Sequence, residues 1–206
     1  EGSRLRYVVR PPYEAHQEKP VRIVAGTHTL ERYRSSQLIK WRSFDVDVEL
    51  AYRSGDRGTL FSHGDQGGGY ALVVDDDDRL TFVHNGYGRM AELDCGSVPD
   101  ATRTIRLAIT APGQWRWSAE VLVDGESRGT LGDLLLLGAM APFEGINVGI
   151  DRRSPVSWAR YEAHGSNPFT GELHAVTFTP GEPAPDAGTN FIELLREIGM
   201  RYEWPA

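Results

Sequence analysis

Ser43-Phe44-Asp45-Val46-Asp47-Val48-Glu49-Leu50 alternates apolar and polar residues without a break. Successive side chains of a β-strand point to opposite faces, so this period of two predicts a strand with one buried and one solvated face. Shorter apolar runs between turn-forming sequences predict further strands at 59–63, 70–74, 80–84, 104–110, 117–123, 146–150 and 173–178.

The stretches between these runs are rich in turn-forming residues. Glycine dominates 64–69, four aspartates fill 75–78, and Asp124-Gly125 between two strand-like runs is a strong hairpin signal. About ten short strands with no helical periodicity between them leave no room for parallel crossovers. The predicted fold class is therefore all-β, an antiparallel two-sheet β-sandwich with a short C-terminal helix.

The chain of 206 residues suits one large domain. We expect an N-terminal arm or edge strand at 1–40, where 21–24 can pair as a strand, and the sandwich at 41–180. A Pro-rich linker and a docking helix are predicted at 181–206. The helix prediction covers 190–199, where Thr189 can cap the start and apolar residues recur with helical spacing at Phe191, Leu194, Leu195 and Ile198.

Composition excludes several classes of function. The net charge of −7 and the scattered arginines provide no basic field for nucleic acid. No apolar run approaches the roughly 20 residues that span a bilayer, and 1–20 is too polar for a signal peptide, so a soluble chain is expected. The first residue is Glu1, which fits a fragment or processed product, and the compartment stays open.

Three stretches, in this order, resemble the carboxy-terminal region of bacterial arylsulfatases. The first is Gly64-Asp65-Gln66-Gly67-Gly68-Gly69-Tyr70-Ala71-Leu72-Val73-Val74, followed by Arg79-Leu80-Thr81-Phe82-Val83-His84-Asn85. The second is Val121-Leu122-Val123-Asp124-Gly125-Glu126. The third runs from Ile146-Asn147-Val148-Gly149-Ile150-Asp151 through Ser154-Pro155-Val156-Ser157 to Pro168-Phe169-Thr170-Gly171-Glu172-Leu173.

This resemblance implies a concanavalin-like jelly roll that serves as the non-catalytic C-terminal domain of an arylsulfatase-like sulfate ester hydrolase. Its partner would be the sulfatase catalytic domain, in the same or a cleaved chain. That parent would need formylglycine, made from a Cys-x-Pro-x-Arg or Ser-x-Pro-x-Arg motif, and a divalent metal, calcium. Cys95 is followed by Gly-Ser-Val-Pro, so the motif is absent, and no cofactor is expected in this fragment.

Asp45, Asp47 and Glu49 are the candidate catalytic residues of an alternative, enzymatic function. Three carboxylates on one strand face resemble the acid-rich strand of concanavalin-like laminarinases, in which two serve as nucleophile and acid/base. The first position is Asp here, where that pattern has Glu. We favour a solvated strand face over a glycoside hydrolase.

Metal sites are weakly indicated. The four aspartates at 75–78 could bind calcium, but four adjacent acids cannot all point inward, and a polar hairpin tip is favoured. His63 and His84 end two strands taken as neighbours, yet they lack a third ligand. Cys95 has no basic neighbour to activate it and is interpreted as structural.

A carbohydrate-binding module is the second functional class. Sugar binding needs exposed aromatic platforms with nearby amide and carboxyl groups. Candidates near predicted loop ends are Tyr70, Asn85, Tyr87, Trp158 and Tyr161.

Overall fold

The computed structural model describes residues 18–138 and 141–187. Within these ranges the elements, in chain order, are β1 (Val21–Val24), α1 (Arg32–Ile39), β2 (Arg42–Ala51), β3 (Gly58–Asp65), β4 (Gly68–Val74), β5 (Arg79–Gly86), β6 (Arg89–Ser97), β7 (Thr104–Gly113), β8 (Arg116–Val123), β9 (Glu126–Leu135), β10 (Ile146–Val148), α2 (Trp158–His164) and β11 (Glu172–Pro183). The docking helix predicted at 190–199 lies outside the described residues.

The strands form two sheets in which every pairing is antiparallel. One sheet has six strands in the order β1-β11-β2-β7-β8-β9, and the other has five in the order β10-β3-β4-β5-β6. A single large core, with residues from both sheets, lies between them. The predicted antiparallel two-sheet sandwich is therefore confirmed.

Strand β2 shows the predicted alternation. Phe44, Val46 and Val48 point into the core and are at most 2% exposed, while the intervening acids are partly exposed on the outer face. The predicted hairpin at Asp124-Gly125 is also present. Both turn residues have positive φ, 47° and 85°, and Val123 pairs with Glu126. Such a turn matches the right-handed twist of its two strands.

The outer face of the five-stranded sheet is covered over β4 and β5 rather than solvated there. Val156 packs against Ala71, Val73 and Val83, which point away from the main core. Because both faces of β4 are covered, all of its residues are buried. The loop and helix that follow β10 therefore form a third layer over this sheet, and that layer carries the candidate site described below.

No helix among the described residues is long and apolar enough to cross a membrane. Leu134, Leu136 and Leu137, at the end of β9 and just after it, are at most 4% exposed and contribute to the core.

Candidate functional site

Helix α2 presents two aromatic rings to solvent. It begins after Ser157, whose Oγ accepts a hydrogen bond from the Arg160 backbone N–H at 3.4 Å, and it ends at Gly165, which has a φ of 64°. Trp158 and Tyr161 are three residues apart and therefore share one side of the helix. They are 50% and 38% exposed, and their ring centroids lie 5.3 Å apart at an interplanar angle of 33°. We call this pair the Trp158–Tyr161 platform.

Arg160 fixes the helix to the five-stranded sheet. Its NH1 donates to Asp75 Oδ1 at 2.6 Å, and its Nε and NH2 donate to the two carboxylate oxygens of Glu92 at 3.2 and 3.0 Å. Burial opposes the positive charge, but the hydrogen bonds to Glu92 and Asp75 outweigh it and raise the pKa of Arg160. A planar guanidinium that meets two carboxylates has little freedom to move. The platform therefore rests on a rigid base.

The space beneath the platform is small. A cavity of about 20 Å³ lies between α2 and the outer face of the sheet, and Tyr161, Asp151 and Asn167 are among its lining residues. This volume holds about one water molecule. A ligand would therefore lie on the open platform rather than inside the protein.

Asp151 holds the loop that leads into α2. Its Oδ2 accepts a hydrogen bond from the Val156 N–H at 2.9 Å, whereas its Oδ1 is buried without a hydrogen-bond partner among the described residues. Burial raises the pKa of Asp151 to about 6, and the negative charges of Glu144 and Asp65 contribute to the rise. The carboxyl group therefore titrates close to neutral pH.

Tyr70 and Asn85 do not belong to an exposed sugar site. Tyr70 is 1% exposed and its ring lies in the core between the sheets. Asn85 is 4% exposed, donates to the carbonyls of Gln66 and Val156, and accepts from the Gly88 N–H. Tyr87 is partly buried against the core. Of the five predicted sugar-binding residues, the structure brings only Trp158 and Tyr161 together as an exposed pair.

The acids of β2 lie on the outer face of the six-stranded sheet and pair with arginines. Arg106 donates to both oxygens of Asp47 at 2.6 and 3.1 Å, and Arg22 donates to both oxygens of Glu49 at 3.0 and 2.8 Å. Asp45 lies 4.0 Å from Arg106. Hydrogen bonding to Arg22 lowers the pKa of Glu49, whereas burial raises that of Asp45. These cross-strand pairs fit the solvated face that we favoured.

Three of the four aspartates at 75–78 pair with different residues, and Asp77 is exposed. Asp75 accepts from Thr81 and Arg160, and Asp76 pairs with Arg57 at 3.0 Å. Asp78 accepts from the Tyr52 hydroxyl at 2.5 Å and the Gly55 N–H at 2.6 Å. Within residues 18–138 and 141–187 there is no group of three or more His, Cys, Asp or Glu side chains that could hold a metal ion.

The prediction that His63 and His84 lie on neighbouring strands is wrong. Strand β4 separates them, and Tyr70 on β4 pairs with both in the sheet register. Burial lowers the pKa of His63 to about 3 and that of His84 to about 4. Cys95 is also buried, which raises the pKa of its thiol to about 11. These residues are packed in the interior rather than presented to a ligand.

Sequence reasoning missed the helix beneath the platform and its arginine. The signal for α2 was Ser157 followed three residues later by Arg160, a possible N-cap without the acidic residue that usually accompanies it. Nothing in the sequence indicated that Arg160 would meet Asp75 and Glu92, which lie 85 and 68 residues away.

No family model matches the chain, and no curated protein matches its sequence. Among solved structures, the CBM40 domain of Ruminococcus gnavus IT-sialidase bound to α2,3-sialyllactose is similar, with a TM-score of 0.51 and 12% identity over 82% of this chain and 92% of that one. The leech intramolecular trans-sialidase complexed with 2,7-anhydro-Neu5Ac gives a TM-score of 0.52 and 13% identity over 84% of this chain and 27% of that one. The chain therefore has the jelly-roll β-sandwich fold that these structures share.

Proposed function

We propose that this chain is a carbohydrate-binding domain and that it holds a sugar ring against the Trp158–Tyr161 platform. The observation that carries the proposal is the exposure of both rings on a helix that Arg160 ties to the sheet. A pyranose has an apolar face of C–H groups, and an aromatic ring offers large apolar area with little side-chain entropy to lose. A platform that is rigid before binding also avoids the cost of ordering it.

One further observation supports the proposal. The fold is one that hosts carbohydrate-binding domains, including the CBM40 structure bound to sialyllactose. Fold likeness by itself does not assign a function, so the platform must carry the argument.

The test is a glycan array followed by calorimetric titration of the best ligand. We expect Trp158→Ala and Tyr161→Ala each to weaken binding about tenfold or more, equal to about 1.4 kcal/mol. Met90→Ala is the matched control, because Met90 is an apolar side chain with a similar exposure, 45%, on strand β6. Undiminished binding by both aromatic variants, or no glycan bound by the wild-type protein, would contradict the proposal.

An accessory role in an arylsulfatase is a second proposal, and it is supported by the ordered resemblance of the three sequence stretches described above. It predicts that antibody against this domain detects a band far above 22.9 kDa in native source-cell extract, with sulfatase activity in the precipitate. A single band near 22.9 kDa, without that activity, would reject it. The two proposals differ in what they require, since only the first depends on Trp158 and Tyr161.

A further inference from the structure

A second surface feature is a cleft that α1 forms with Gly138, Ala141 and Pro142. Arg32, Tyr33, Ser36 and Lys40 line one side of this cleft, and Pro142 lies on the other. Its volume of about 370 Å³ falls within the range of roughly 300–1,000 Å³ that is usual for small-molecule sites. We call it the α1 cleft.

The helix directs its polar face into the cleft. Arg32 and Ser36 are four residues apart and therefore share one side of α1, and Lys40, the residue that follows the helix, lines the same cleft. The opposite side is buried through Ser35, Leu38 and Ile39. Packing therefore fixes which way the two cationic side chains face.

The cations of the α1 cleft have no acidic partner among the residues that the structure describes. Neither Arg32 nor Lys40 has a carboxylate within ion-pair distance there, whereas Arg34 on the same helix lies 3.6 Å from Glu31. Glu31 itself accepts hydrogen bonds from the backbone N–H groups of Tyr33 and Arg34 and so caps the helix. Two cations without an acidic partner among the described residues therefore face one cleft, in a chain whose net charge is −7.

The Arg32 side chain is also held in place. Its guanidinium carbon lies 4.3 Å from the centroid of the Phe143 ring, in a cation–π contact. This contact restricts the guanidinium and leaves N–H groups that can donate to the oxygens of an anion. Phe143 is 48% exposed and Tyr33 is 56% exposed, so apolar surface for a sugar ring lies beside the charge.

We propose that the α1 cleft binds an anionic sugar residue, with its carboxylate or sulfate group paired to Arg32 and Lys40. This inference rests on the proposed carbohydrate binding and adds a second binding site, with the chemical class of the sugar that it would take. Carboxylate and sulfate share the negative oxygens that Arg and Lys recognise, and the ligands used in the test separate them.

The test compares calorimetric titrations with lactose, 3′-sialyllactose and lactose 3′-sulfate. We expect at least one anionic sugar to bind about tenfold or more tightly than lactose, since charge-assisted hydrogen bonds are stronger than neutral ones. Arg32→Gln and Lys40→Gln should each remove most of this difference. Arg32→Lys should restore it only in part, because lysine keeps the charge but not the planar fork.

Arg34→Gln is the matched control, because it removes a positive charge from the same helix outside the cleft; its side chain is 78% exposed. It should keep the preference for the anionic sugar, and circular dichroism should show the same fold for all variants. Tighter binding of 3′-sialyllactose alone identifies a carboxylate as the recognised group, and tighter binding of lactose 3′-sulfate alone identifies a sulfate.

Three results would overturn the inference: equal affinity for lactose and both anionic sugars, an unchanged preference in Arg32→Gln and Lys40→Gln, or no binding of any of the three sugars. The proposed function is judged separately, by the glycan array and by Trp158→Ala. A glycan that is lost in Trp158→Ala but unaffected by Arg32→Gln would leave the proposed function standing while the inference fails.

Discussion

The hydroxyl of Tyr70 lies 2.9 Å from Nδ1 of His63, in the closed interior between the two sheets. His63 is fully buried, and its Nε2 has no hydrogen-bond partner among the described residues. On the other side of Tyr70, His84 Nε2 lies 3.1 Å from the Leu135 carbonyl. Among the described residues neither imidazole has an acidic partner that would favour its protonated form, and burial favours the neutral form of both.

We predict that stability falls as the pH is lowered from about 6.5 towards 4. The pKa values of His63 and His84 in the folded state are about 3 and about 4, below the ordinary value of 6.5, so the unfolded chain binds more protons in this window. Their contribution to stability is therefore present above pH 6.5 and is lost on acidification, on the order of 1–3 kcal/mol per histidine. Urea unfolding at several pH values measures the slope.

His84→Gln is the variant that isolates one of the two groups, because glutamine can still donate to the Leu135 carbonyl. It should lower by up to about one the number of protons that the chain takes up on unfolding, and so reduce the slope of stability against pH. His28, which is exposed, provides the control, and His28→Gln should leave the slope as it is. A slope in His84→Gln equal to that of the wild type would show that burial of this histidine does not cause the acid sensitivity.

Asp151→Asn should stabilise the protein at neutral pH. The pKa of Asp151 is raised from 3.8 to about 6, so the folded state retains a proton that the unfolded state releases, and stability falls as the pH rises through this interval. Asparagine removes that ionisation, and its carbonyl can still accept from Val156. We expect a gain of about 1–2 kcal/mol at pH 7.5 that disappears near pH 4.

Denaturant titration at the two pH values checks the Asp151 prediction. Asp77→Asn is the comparison, since Asp77 is exposed on the β4–β5 turn and its replacement should change stability little at either pH. Destabilisation of Asp151→Asn at pH 7.5 would mean that the ionised carboxylate is required for the loop.

Arg160→Ala should weaken glycan binding although it leaves both aromatic rings in the sequence. Without the bonds to Asp75 and Glu92, α2 loses its attachment to the sheet, and two carboxylates lose their counter-ion. Because the arginine side chain is 22% exposed, we expect a stability loss of about 1–3 kcal/mol, below that for a fully buried pair.

Hydrogen exchange of residues 158–164, measured together with affinity, distinguishes a positioning role for Arg160 from a general loss of stability. Exchange in α2 should accelerate while exchange in β4 stays slow. Arg152→Ala, which removes an exposed arginine from the preceding loop, should change neither quantity. Equal acceleration in α2 and β4 would refute a positioning role.

Asn85→Ala should cost about 2–4 kcal/mol, because it leaves the carbonyls of Gln66 and Val156 and the Gly88 N–H without their partner in a buried site. Asn85→Asp retains an acceptor for Gly88 but loses both donor groups and adds a charge. We therefore expect Asn85→Asp to be at least as destabilising as Asn85→Ala, as measured by urea unfolding at pH 7.5. If Asn85→Asp proved less destabilising than Asn85→Ala, the hydrogen bond that Asn85 accepts from the Gly88 N–H would matter more than the two that it donates.

The sequence predicted the sheets better than the surface layer. Strand β2 was evident because one face is buried and the other is wet, and the hairpin at Asp124-Gly125 was evident because positive φ favours those residues. Helix α1 was missed because its buried side begins with Ser35, a polar residue that hides the helical spacing to Leu38 and Ile39. Strand β6 was missed because its residues are mostly exposed.

Tyr70 and Asn85 were predicted to be exposed because they lie near predicted loop ends, and their burial has two different causes. Tyr70 points into the core between the sheets. Asn85 lies under the third layer around Val156, and a layer supplied by residues about 70 positions later leaves no local pattern in the sequence. Trp158 and Tyr161 could be predicted because a large aromatic residue near a loop end is a candidate for sugar binding even when the helix that carries it is not recognised.

The place of β11 has a consequence for synthesis on the ribosome. This last described strand inserts between β1 and β2, so the six-stranded sheet lacks an inner member until Glu172–Pro183 has emerged from the exit tunnel. Until then β1 has no neighbour, and β2 exposes an unpaired edge, the kind of edge that promotes aggregation of nascent chains. The alternating acids of β2 put charged side chains on that strand, and charged side chains on an unpaired strand oppose edge-to-edge association.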